Sequence, residues 1–282
     1  MCLIWGIPYL LIRVAVRDLD PSVLVLGRTA IGALLLVPLA AARGEIRPVL
    51  ARWKPLLVFA ALEIAIPWVL LSSAERRLSS SFTGLMIAAV PLVGAVVTRE
   101  RLGRWSVGGL ALGIVGVAAL LGLDVSNLST VGIVEIAGVV VGYAVGPIVL
   151  ARYLRGLPAL GVIATSLAVT AVAYVPIAAF ALPSSMPSAK VVASVVALAV
   201  ICTALAFVVF FALIEEVGPV RATVITYVNP AVAAALGVSI LGERFTAGMG
   251  VGFVLILVGS VLAARRPRPA PLPFAATAAP RA

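Results

Sequence analysis

Apolar runs of about twenty residues recur along the whole chain, at approximately 21–42, 54–73, 79–98, 105–122, 130–151, 159–182, 190–212, 222–241 and 246–263. As a helix, each is long enough to cross a hydrocarbon core of roughly 30 Å. Backbone amides in lipid must find partners within their own segment, which selects helices over open strands. The opening MCLIWGIPYLLIRVAV adds a tenth apolar run, of about 12 residues before Arg13, too short for a full crossing. It has no basic leader and no small-residue cleavage site, so it reads as a shortened first helix, or one started upstream, and not as a signal peptide. Composition agrees: 63% of the 282 residues are hydrophobic and 11% charged, with mean hydropathy +1.21. A soluble domain needs roughly 25% charged residues to cover its surface. The expectation is an all-α, polytopic membrane protein with ten transmembrane helices.

The second constraint is duplication. The stretch from Arg221 to Ala263 contains two apolar runs, the first interrupted by Asn229-Pro230, with a charged corner Gly242-Glu243-Arg244 between them. Upstream, Pro91 holds the place of Pro230 and Glu100-Arg101 the place of Glu243-Arg244. From Glu100 to Ala119, against Glu243 to Leu262, six of twenty positions are identical. Pro8 and Arg13 match Pro147 and Arg152 at an offset of 139 residues, the offset that also separates Pro91 from Pro230. Five runs precede the Asp124–Ser129 connector and five follow it. Because five is odd, the second half enters the membrane from the opposite side. The expected layout is two inverted five-helix repeats (5+5), residues 1–123 and 130–264, with a substrate site near the midplane where they meet. The Pro/Ala/Arg-rich tail, 265–282, has no reason to fold.

Charge sets the orientation. A net charge of +10 in a soluble protein would suggest nucleic acid, but here Lys and Arg fall in short connectors. Odd-numbered connectors carry six of them; even-numbered connectors with the tail carry fourteen. The excess puts both termini in the cytoplasm of a cell that holds the protein in its plasma or inner membrane. No nucleic-acid partner is expected. The expected partners are the lipid bilayer, a small-molecule substrate and, as a candidate coupling ion, protons; the chain would act as a monomer or a homodimer.

Charges inside the runs are costly, about 2.5–3.5 kcal/mol each at the bilayer centre on insertion scales. Glu63 lies near the middle of the third run, roughly 15 Å from its outer end at 1.5 Å per residue. Arg28 is about seven residues inside the second run and Glu135 about five inside the sixth. One reading is that Arg28 and Glu63 pair, or alternate partners, in a cavity where a desolvated carboxylate could carry a proton. The other is a structural pair that fixes packing. Pro91 and Pro230 each remove a mid-helix amide and kink the helix, as gates or cavity walls, or for packing alone. Asn229 adds an amide that can hold a polar group. Trp5, Tyr9, Trp68, Tyr143 and Tyr227 are candidate cavity walls, against the alternative of interfacial belts. Gly138, Gly142 and Gly146 have small-xxx-small spacing, which lets helices approach closely.

The Trp5-Gly6 opening, Arg28, the proline-centred fourth and ninth helices, the two Glu-Arg corners and the Gly-spaced helix after each resemble the EamA-type members of the drug/metabolite transporter superfamily over residues 1–264. The resemblance implies a ten-helix carrier of small organic solutes that works by alternating access. Taken with the residues, the translocation set is Arg28, Glu63, Trp68, Glu135, Tyr143, Tyr227 and Asn229, with Pro91 and Pro230 as kinks or gates.

Other classes fare worse. The chain has no His, which removes His-metal sites and every Ser/His or Cys/His nucleophile. No Gly-x-x-x-x-Gly-Lys-Ser/Thr loop is present for ATP. No enzyme activity, cofactor or metal is expected. The competing reading is a non-transporting or channel-like integral membrane protein, although no run carries a repeated polar pore pattern.

Overall fold

In the computed structural model, residues 1–97, 104–122, 129–217 and 225–263 are described, and among them there is no β-strand. The Glu100-Arg101 corner, most of the Asp124–Ser129 connector, Arg221 and the 265–282 tail lie outside the described residues. The helices are α1 (Cys2–Ala15), α2 (Pro21–Ala42), α3 (Trp53–Ala74), α4 (Ser80–Ile87 continued by Val90–Val97), α5 (Arg104–Gly122), α6 (Thr130–Tyr153), α7 (Ala159–Ala179), α8 (Ala189–Ala199 running on through Ala206–Val217), α9 (Ile225–Leu241) and α10 (Ala247–Ala263). A short helix, Ile46–Leu50, precedes α3. Five of these, α2, α3, α6, α7 and α8, are long and apolar enough to cross a membrane; the other apolar helices among the described residues are shorter.

Helix starts follow local chemistry. The Asp20 carboxylate accepts the Ser22 amide at 2.9 Å ahead of Pro21, and Ser79, Ser129 and Ser188 cap α4, α6 and α8 in the same way. At the far end of α9, Gly242 takes φ +69°, a left-handed turn open to glycine. That turn swings Glu243 back over the bundle.

The run 79–98 was expected as one helix, but α4 is broken at Ala88-Ala89, one turn before Pro91. The proline removes an amide and its ring crowds the preceding turn, so the Ala88 and Ala89 amides shift to carbonyls three residues back. The Ala88 carbonyl accepts the Ser260 hydroxyl of α10 at 3.1 Å. It is therefore capped by protein. Pro230, by contrast, sits inside an uninterrupted α9, and the neighbouring Asn229 carbonyl backs onto Gly6 of α1.

The packing pairs equivalent helices of the two sequence halves. A Cβ on Gly116 of α5 would come within 2.9 Å of the Gly252 carbonyl on α10, and one on Gly259 within 2.6 Å of the Gly109 carbonyl. Gly109 aligns with Gly252 and Gly116 with Gly259, so the contact is reciprocal, as across a two-fold axis. As the number rises on α5 it falls on α10, which makes the two helices antiparallel. The helices α4 and α9 also run antiparallel: Gly84 lies against Ala233 while Ser81 bonds to Ala234 and touches Gly237. The outward faces carry Leu34, Leu35, Val134, Val172 and Ile177, all exposed, as lipid-facing positions should be. Inside are two apolar clusters. One holds Ile12, Phe82, Leu85, Ile136 and Leu198; the other holds Phe59, Ile64, Trp68, Leu160 and Leu167. Tyr143 packs against both.

Candidate functional site

The polar centre sits at the seam between these clusters. It is built on two wide, π-type turns that interrupt long helices: Ala61–Ala65 in α3 and Val200–Leu205 in α8. Such turns leave a carbonyl without its regular partner and are common at functional sites. In α8, the Thr203 hydroxyl donates to the Leu198 carbonyl five residues back at 2.8 Å. In α3, the Tyr174 hydroxyl of α7 donates to the Ala65 carbonyl at 2.9 Å.

Arg28 enters this centre from α2. Its side chain is buried, its Nε–H donates to Thr203 Oγ1 at 2.8 Å, and its guanidinium carbon lies 3.6 Å from the Trp68 ring centroid. A cation over an indole face gains on the order of 2 kcal/mol when desolvated, a useful offset for a buried charge. Tyr143 completes the group: its hydroxyl faces the Trp68 indole and feels the charges of both Arg28 and Glu63. Tyr9 and Cys202 also lie within electrostatic reach of Arg28.

Glu63 projects from the α3 wide turn towards α6. Gly146 makes room for it, since a Cβ there would fall on the Glu63 carboxylate. Gly142 lets α6 press against the same turn, where a Cβ would approach the Leu62 carbonyl to 2.6 Å. The glycine stripe thus serves contact between α3 and α6 within one chain. Among the described residues, Glu63 Oε2 is buried with no hydrogen-bond partner. The expected Arg28–Glu63 ion pair is not formed, because Thr203 and Trp68 take the guanidinium instead.

The structure therefore brings together Arg28, Glu63, Trp68 and Tyr143. It does not bring Glu135 to them. Glu135 accepts the Ser73 hydroxyl at 2.6 Å and pairs with Arg77 at 3.1 Å, at the end of the bundle that carries the α3–α4 corner. Asn229 and Pro230 lie where α9 meets α1, Pro91 lies just past the break in α4, and the side chain of Tyr227 is outside the described residues. Thr203 was missed. A lone Thr in an apolar run carries no signal until its helix is set beside Arg28. An aromatic wall continues from the centre, with Trp5 at 4.8 Å from Phe210 and 5.9 Å from Phe207.

At the α3–α4 end the corners are tied together. Arg76 reaches Asp20 at 3.5 Å and the Leu19 carbonyl at 2.7 Å. Burial acts to raise the Asp20 carboxyl, but the bonds from Ser22 and the Arg76 charge outweigh it and hold the group below the usual carboxylate range. Arg13 donates to the Glu75 and Leu78 carbonyls. In the corner between α9 and α10, the Glu243 carboxylate accepts the Ser80 amide at 2.7 Å, the Ser81 amide at 2.8 Å and the Ser81 hydroxyl at 2.6 Å.

Comparison with known proteins gives three results. No curated protein matches. A solved structure reported as "Crystal structure of protein" has TM-score 0.66 and 22% identity, covering 93% of each chain; at that identity the likeness concerns the fold. The profile of the EamA-like transporter family matches twice, over residues 1–122 and 130–265. With nearly the whole length matched, the chain is a multi-pass membrane protein that belongs to the EamA-like transporter family.

Proposed function

We propose that the protein is a secondary carrier that moves a small organic solute across the cytoplasmic membrane by alternating access, with Glu63 as the proton-coupling group. Its ten helices all cross the membrane, as two inverted halves of five, and both termini face the cytoplasm. The antiparallel, reciprocal packing of α5 on α10 supports the inversion, since equivalent helices of parallel repeats would not meet that way.

The observation that carries the reading is the polar centre. A buried guanidinium stacked on an indole, a phenol, and a carboxylate with a bare oxygen converge where the two halves meet. Intramembrane ionisable groups are expensive and are found where a pathway needs them. Arg28 and Trp68 suit a solute with an anionic or aromatic part, and Glu63 suits a proton or a cationic group. An amino acid or a similar amphiphilic metabolite, or a cationic drug, fits such a set.

The test is uptake into proteoliposomes across a metabolite panel, with and without a pH gradient, for wild type and Glu63→Gln. The expected result is saturable flux in wild type, loss of gradient-driven accumulation in the variant and retention of solute exchange. Unchanged accumulation removes Glu63 from coupling. Flux that never saturates favours the channel reading.

A further inference from the structure

Past the end of α3, a second carboxyl system lies away from the polar centre. Glu75 is fully buried, at 0% exposure. Its Oε2 accepts the Ser80 hydroxyl at 2.7 Å, and its Oε1 has no partner. The amide of the same Ser80 donates to Glu243 Oε1 at 2.7 Å. One residue thus bridges two carboxyl groups that come from opposite halves of the sequence. The remaining charged and titratable groups facing Glu75 are few. From α1, Arg13 spends its guanidinium on the Glu75 and Leu78 backbone carbonyls, and Tyr9 lies within electrostatic range. Arg76 and Arg77, next in the corner, turn away to Asp20 and Glu135.

Two ionised carboxylates in this arrangement would repel, and the bare oxygen of Glu75 would be a buried charge without a partner. A neutral Glu75 removes both penalties. Glu243 accepts three donors from the first turn of α4, which is the bonding pattern of a carboxylate capping a helix N-terminus. We propose that Glu75, Ser80 and Glu243 form a proton-binding latch: a proton on Glu75 keeps Glu243 docked on α4 and holds this end of the bundle shut, and its release to water lets the α9–α10 corner and α4 part. The latch is separate from the coupling role of Glu63, and the two can fail independently.

The sign follows from the groups around Glu75. Burial pushes its carboxyl well above the usual range, Glu243 adds to this, and the Ser80 bond and the Arg13 charge oppose it. In the closed state the proton is therefore held more tightly than in the open, hydrated state. Closure is at full strength below the ordinary Glu value of about 4.3 and weakens as pH climbs towards the raised one.

The readout is hydrogen exchange of the full chain in nanodiscs from about pH 5 to about pH 9, a window that starts just above the ordinary Glu value. The observed exchange rate of the 79–87 segment, which includes the Ser80 and Ser81 amides held by Glu243, is compared with the intrinsic rate at each pH, and the ratio of intrinsic to observed rate is the protection. Wild-type protection is expected to fall by up to about tenfold per pH unit over part of that window. In Glu75→Gln, which mimics the protonated side chain, it should stay at its acidic level throughout. Ser80→Ala removes a bond that holds the Glu75 carboxyl down, so its midpoint should move to higher pH. A flat wild-type profile overturns the proposal whether or not the variants fold. So does an unchanged pH response in Glu75→Gln, or an unmoved midpoint in Ser80→Ala.

Discussion

The two wide turns, Ala61–Ala65 in α3 and Val200–Leu205 in α8, stand at the same place in the two halves, 139 residues apart, and use their side chains in opposite ways. At that offset Glu63 corresponds to Cys202, and Trp68 to Phe207. In the α8 turn, Thr203 donates to the Leu198 carbonyl of its own helix and holds Arg28. The α3 turn has its Ala65 carbonyl closed from outside by Tyr174, and it presents a carboxylate oxygen with no partner. Duplication supplied one backbone device twice. One copy holds a buried cation, and the other presents a buried carboxylate oxygen without a partner.

The largest test of this contrast reverses it. Cys202→Glu places a carboxylate beside Arg28, which already lies within electrostatic reach of Cys202. The new ion pair should lock the guanidinium and lower transport by about a hundredfold or more, on the scale of the several kcal/mol available to a buried pair. Uptake by Cys202→Ser, which adds no charge, should stay within a few-fold of wild type. Normal uptake by Cys202→Glu would mean that Arg28 is not engaged during transport.

Thr203→Val comes next. It leaves one N–H of a buried guanidinium without an acceptor, a loss of about 1.5–3 kcal/mol for a charged hydrogen bond. The apparent affinity for solute should fall roughly tenfold to a hundredfold, measured as KM in the proteoliposome assay, and Thr203→Ser should restore it. Recovery with Ser would assign the effect to the hydroxyl and not to the volume of the side chain.

What the sequence disclosed follows from the range of each signal. Apolar runs and Pro or Gly spacing are local, so the helices, the duplicated halves and the position of Arg28 and Glu63 inside apolar helices were legible. Partner choice is not local. That Arg28 would select Thr203 and Trp68 over Glu63 depends on how α2 sits against α3 and α8, and no spacing within one helix encodes it. Glu135 looked equivalent to Glu63 because both interrupt apolar runs. Only the third dimension places it opposite Arg77. The pairing of Glu75 with Glu243 was hidden for the converse reason: each lies in a charged corner where a solvated side chain is the ordinary expectation, and their meeting comes from corners distant in sequence closing over one another.

Gly146→Ala should have a smaller effect than the Thr203 change. The added Cβ falls on the Glu63 carboxylate, which can swing aside only by losing its present position against α6. A several-fold drop in gradient-driven accumulation is expected, with exchange little changed. Gly138→Ala, where the Cβ would meet only the tip of Leu70 at 2.9 Å, is the matched control because that side chain can move away. Equal losses in both would assign the effect to helix packing and not to Glu63.

The mildest test concerns the outside support of the α3 turn. Tyr174→Phe deletes one hydroxyl and with it the bond to the Ala65 carbonyl. Losing one such hydrogen bond costs about 0.5–1.5 kcal/mol. At about 2–4 °C per kcal/mol for a chain of this order of size, the thermal midpoint in detergent should fall by only a few degrees. The informative part is where the loosening appears. If the two turns are independent devices, hydrogen exchange should rise in the 61–69 segment and stay unchanged around Thr203, whose support comes from its own helix. A rise at both would mean that the turns move as one unit, with Arg28 as the link between them.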